Sequence, residues 1–136
     1  MKRALGIFVG LMVCVLIGWV WGTSSRSGIA RALATSELRG ELRGARAAAL
    51  DARVAIYNVN FGQASGHLEN ARSLLLHASD RLKSLGRDDE LKQLQTALAS
   101  VDDAQRMAGK LDQTANSRAG DAAKTIADVL EEEAKR

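Results

Sequence analysis

Apolar residues in this chain recur at alternating gaps of four and three. Leu38, Leu42, Ala45, Ala49, Ala52, Ile56 and Val59 form one such series, and Ala64, Leu68, Ala71, Leu75, Ala78, Leu82 and Leu85 form a second. A third runs through Leu91, Leu94, Leu98, Val101, Gln105, Ala108, Leu111 and Ala115, and a short fourth through Ala119, Ala122, Ile126 and Val129. Such spacing returns to one helix face every seven residues, so each series predicts an amphipathic helix with a coiled-coil-type seam. Asn58-Val59-Asn60-Phe61-Gly62 suits a turn between the first two. Gly86 suits a helix C-cap, with Asp88 or Asp89 as the next N-cap. Asn116-Ser117-Arg118-Ala119-Gly120 marks a third break, and Ser36 is a candidate N-cap for the first seam unless the preceding helix runs on into it.

A different pattern occupies the start of the chain. From Ala4 to Gly22 there is no charged residue, and Lys2 and Arg3 precede the run. At 1.5 Å per residue this stretch makes a helix of roughly 28 Å, close to the thickness of a bilayer core. Trp19 and Trp21 stand at its far end, where aromatic rings favour the headgroup layer. No Ala-x-Ala follows, and Val13 before Cys14 is too large for a lipobox, so the run reads as an uncut anchor rather than a signal peptide. Gly6, Gly10, Cys14, Gly18 and Gly22 recur every four residues, which makes a smooth stripe suited to close helix packing in lipid.

The expected fold is all-α: one N-terminal transmembrane helix, then a three- or four-helix antiparallel bundle or coiled-coil hairpin. Residues 1–22 are the anchor, 23–35 a basic juxtamembrane linker that is helical if the anchor runs on, and 36–136 the bundle. Ala-rich seams pack closely but bury little area each. A bundle of this kind is expected to gain stability from a second copy or a partner.

Composition narrows the function. Proline is absent and the only cysteine is Cys14, so the bundle has no disulfide framework and no cysteine-based zinc site. A net charge of +3 is too small to point to nucleic acid. The basic excess sits next to the anchor, at Arg26, Arg31, Arg39 and Arg43, where anionic lipid headgroups would attract it. Glu37 and Glu41 with nearby Arg43 offer the alternative of a solvated, ion-paired helix face. His67 and His77 are too far apart for a helical metal pair, and no P-loop or nucleophile elbow is present. The carboxylate runs sit mostly at helix ends, and Glu131-Glu132-Glu133 near a C-terminus implies fraying or contact with a basic partner. Tyr57, Asn58, Asn60 and Phe61 form the densest recognition-type cluster, and a turn packed over an aromatic explains them equally well.

Ala64, Leu68 and Ala71, following Phe61, resemble the second helix of a tetratricopeptide repeat, with Ala97, Val101 and Ala104 as a weaker echo. The closing proline is absent and the first-helix positions do not match, so the heptad is the better account of these residues. The resemblance implies a short adaptor.

The expectation is therefore a protein without enzymatic activity or cofactor: a membrane-anchored scaffold or accessory subunit of a membrane complex. A ligand- or stress-sensing helical domain is the alternative. Its partners are the membrane and either other membrane-protein subunits or further copies of itself. The basic start followed directly by an apolar run places the N-terminus in the cytoplasm and the bundle in the periplasm of a bacterial inner membrane. The basic residues after the run argue the other way.

Overall fold

The computed structural model describes the backbone of residues 2–135 and the side chains of residues 28–135. Four helices follow one another: α1 (Lys2–Tyr57), α2 (Phe61–Leu85), α3 (Asp88–Ala108) and α4 (Ala115–Ala134). Among the described residues there is no strand. By internal contacts the chain divides into two units, Met1–Ser36 and Glu37–Arg136. In the first, Thr35 Oγ1 donates to the Arg31 carbonyl one turn back, while Ile29 and Leu33 face solvent. Among the described residues no helix is long and apolar enough to cross a membrane. The apolar run from Ala4 to Gly22, with its glycine stripe and tryptophans, lies outside the residues this covers.

The second unit is a four-helix bundle. Glu41 meets Arg81 and Gly44 meets Leu74, so α1 and α2 run antiparallel. Arg72 with Asp102 and Ser65 with Gln105 set α3 against α2 in the same way. Gln93 reaches Glu132 from α3 to α4. Arg39 reaches Glu133, and Arg53 reaches Asn116, which brings α4 back against α1. That last pairing closes a ring. A tetratricopeptide array, in which each unit contacts only its sequence neighbours, would leave the ends open.

The core follows the heptads. In α2, alanine recurs at 64, 71 and 78 and leucine at 68, 75 and 82, all fully buried. In α1, Leu38, Leu42 and Ile56 bracket Ala45, Ala49 and Ala52, and α4 sets Ile126 and Val129 among Ala115, Ala119, Ala122 and Ala123. Small side chains let neighbouring helices approach, and large ones fill the layers between. Among the described residues, alanine makes up more than half of the buried apolar positions. Close approach therefore replaces bulk as the source of packing.

Several expectations are corrected. In α3 the buried stripe is Leu94, Ala97, Val101, Ala104 and Ala108, whereas Leu91 and Leu98 are only half-buried and Gln105 bonds to Ser65. Helix α3 packs between α2 and α4, and turning its alanines inward permits both close contacts. Ser36 caps nothing, because α1 continues through it. Arg87, not Asp88 or Asp89, holds the N-cap position of α3, and the two aspartates occupy its first turn. The third break falls at residues 109–114 instead of 116–120, and Leu111 is exposed in it. Val59 likewise leaves the first seam for a turn. Glu37 and Glu41 pair with Arg81 of α2, across the bundle surface, instead of with Arg43.

Three helix ends close alike. The backbone N–H of Asn60, Arg87 and Asp112 donates to Ala55, Leu82 and Met107 respectively, so each reaches five residues back. This closure needs a left-handed residue just before the donor. Gly86 supplies it at φ 68°, as the sequence predicts. Val59 and Leu111 supply it at φ 59°, where a Cβ costs on the order of 1 kcal/mol. Asn60 then caps α2, its Oδ1 accepting from the Gln63 N–H at 3.2 Å.

Candidate functional site

Of the predicted site residues, Gly6, Gly10, Cys14, Gly18, Gly22, Trp19, Trp21 and Arg26 lie outside the described side chains. The remaining juxtamembrane arginines do not act alike. Arg31 and Arg43 are exposed, whereas Arg39 is half-buried and donates to the Glu133 carbonyl at 2.5 Å. The recognition cluster also divides. Phe61 is buried under the turn and Asn60 caps α2, which leaves Tyr57 and Asn58 facing water.

Tyr57 belongs instead to a group assembled from two helices. It is 82% exposed, and with Leu50, Val54, Arg53 and Asn116 it lines an open groove of about 360 Å³ between α1 and α4. Leu50, Val54 and Tyr57 share one face of α1 by their spacing. Arg53 and Asn116 form the edge through a reciprocal pair. Arg53 Nε donates to Asn116 Oδ1 at 3.1 Å, and Asn116 Nδ2 donates to the Arg53 carbonyl at 2.9 Å. Gly120 makes room for this, since a Cβ there would stand 3.3 Å from the Arg53 guanidinium carbon. Val59 and Leu111 are also exposed, at the two turns of this same end. The groove has an apolar floor and a hydrogen-bonding edge, which suits an apolar side chain.

The opposite end is charged and closed. Glu133 is fully buried and its carboxylate pairs with the Arg87 guanidinium, while Glu90 is buried nearby in sequence on α3. Glu133 continues the heptad series of Ala119 and Ile126, and Glu90 that of Ala97 and Ala104. For Glu133 the basic contact is therefore Arg87 of the same chain instead of a partner. The pairing joins the α2–α3 turn to the last turn of α4, where a carboxylate alone would oppose the helix dipole.

Among the described residues no cluster of His, Cys, Asp and Glu is arranged to hold a metal ion. His67 is half-buried and His77 exposed. Sequence reasoning missed the groove because its residues sit in two helices. It missed the Arg87–Glu133 pair because charged residues read as solvated. Comparison with protein-family models, curated proteins and solved structures finds no match.

Proposed function

We propose that this chain is a non-enzymatic accessory subunit or scaffold of a membrane complex, anchored by residues 4–22 and holding its bundle in the periplasm of a bacterial inner membrane. The observation that carries the reading is the pairing of an uncharged run of bilayer length with a bundle whose outer surface exposes Val54, Tyr57, Val59 and Leu111. Solvent-exposed apolar side chains grouped at one end are a usual mark of a docking surface. The glycine stripe supplies a matching surface within lipid.

The test is native-gel migration in mild detergent of the wild type against Gly10→Leu/Gly18→Leu. The wild type runs above monomer size, and the double variant, which still inserts because leucine is more apolar, runs smaller. Wild-type migration as a monomer refutes the proposal. Orientation is checked separately, since a C-terminal reporter active only in the cytoplasm would overturn the periplasmic placement. The groove favours a second reading, a membrane-anchored ligand- or stress-sensing domain. A small molecule that raises the melting temperature further as its concentration increases supports that reading.

A further inference from the structure

Helix α1 carries a second four-three series. Gly40, Arg43, Ala47, Leu50, Val54 and Tyr57 follow one another at gaps of three and four, roughly half a turn around from the core stripe. All are exposed except Leu50, which is half-buried. Helix α2 covers one flank of this stripe, where Leu74 Cδ1 stands 3.1 Å from the place of a Gly44 Cβ. Helix α4 covers the other, through Arg39 and Arg53. The stripe between them faces outward, and a Cβ on Gly40 would meet nothing within 4 Å. One helix with two heptad seams has one seam for its own bundle and one for another helix.

The flanking charges say which helix. Gly40, Ala47 and Val54 take the a positions and Arg43, Leu50 and Tyr57 the d positions. The g positions are then Arg39, Arg46 and Arg53, and the e positions Glu37, Gly44 and Asp51. Arg39 and Arg53 are engaged by α4 and Glu37 by Arg81. Arg46 and Asp51 are exposed, and neither has an ion-pair partner among the described residues. They stand five residues apart, g to the following e, which is the offset that pairs across a parallel two-stranded coiled coil. An antiparallel arrangement would set the basic g flanks against each other. Arg43, which is exposed, interrupts the apolar series; in a paired seam its stem would lie along the seam with the guanidinium in water.

We propose that the outer face of α1 is the seam of a parallel homodimer, with Ala47, Leu50, Val54 and Tyr57 at its centre and Arg46 of each copy paired with Asp51 of the other. The inference rests on the accessory-subunit reading and names its nearest partner as a second copy of this chain. Parallel pairing is also what two copies entering one bilayer from the same side require. The groove beside Tyr57 receives side chains of the second copy.

The test uses the full chain in mild detergent with Cys14 replaced by Ser. Ala47→Cys is oxidised with copper–phenanthroline and compared with Lys92→Cys, on the exposed surface of α3. The a-position thiol crosslinks to a covalent dimer and the α3 thiol does not. Arg46→Asp or Asp51→Arg in the Ala47→Cys chain lowers the yield about fivefold, since each swap turns two attractive contacts into repulsive ones. Combining the swaps restores the yield. Circular dichroism confirms that each variant remains helical. Equal crosslinking at positions 47 and 92, or no recovery in the double swap, overturns the parallel seam. If crosslinking fails while the chain still migrates above monomer size, the second copy is wrong and the accessory-subunit reading stands. Migration as a monomer removes both.

Discussion

Replacing Glu133 with Ala tests how the charged end of the bundle is held. Glu133 is fully buried and the side chain of Arg87, its partner, is 16% exposed. Removing one member of a buried pair leaves the other charge without compensation, which costs about 3–5 kcal/mol. Two features place this site at the low end, near 3 kcal/mol. Arg87 keeps some access to water, and the Arg39 bond to residue 133 goes to the backbone carbonyl and survives the substitution. Urea unfolding of the full chain in mild detergent, followed by circular dichroism, reads the loss. With a slope of about 1.5 kcal/mol per molar urea, the midpoint falls by roughly 2 M. The companion variant Arg87→Met/Glu133→Leu removes both charges and fills the volume, so it should lie near the wild type or above it. A loss under ~1 kcal/mol for Glu133→Ala would mean that the pair acts as a surface ion pair. A double variant as unstable as the single one would place the cost in packing instead of in the stranded charge.

Three further outcomes are expected. Leu75→Ala, at a fully buried seam position, loses about 2–4 kcal/mol by the same urea assay, and a loss below ~0.5 kcal/mol would mean the bundle is not closed around it. Val59→Gly and Leu111→Gly each raise stability by about 1 kcal/mol, because glycine adopts the left-handed conformation without a Cβ clash; unchanged midpoints would show that the turns relax to avoid it. Asp112 titrates below the usual carboxylate range, because the Thr114 backbone N–H and then its hydroxyl donate to the ionised form. A folded-state value below the unfolded one gives stabilisation that is present above the unfolded value and lost as pH falls through the folded value. An NMR carboxyl titration of Asp112 in the ordinary range would refute this.

Much of the bundle was legible because its forces are periodic. The α2 seam needed only the alternation of alanine and leucine, and Gly86 announced its turn because glycine tolerates positive φ so readily. In α3 the sequence supports two frames. Leu91 and Leu98 look more apolar than Ala97 and Ala104, and only the presence of helices on both sides decides for the alanines. The last turn was misplaced because its left-handed residue is Leu111, while Gly109 nearby keeps a right-handed conformation. The groove needed α1 and α4 side by side, a neighbourhood that local pattern does not encode. The α1 outer stripe is periodic too, but the stronger inner stripe masks it until burial separates the two.

The return of α4 to α1 has a kinetic consequence. Arg39 and Glu133 are 94 residues apart in sequence, whereas the contacts joining α1 to α2 and α2 to α3 span 30 to 44. The hairpins can form early, each closing a modest loop, but the ring starts to close only when Asn116 reaches Arg53, 63 residues away, and is complete only with the last turn of α4. Until then the inner stripe of α1 lacks one of its two covers. A chain emerging in order would therefore hold α1 half-clothed through most of its synthesis, and the interval before closure is when a wrong helix could take the place of α4.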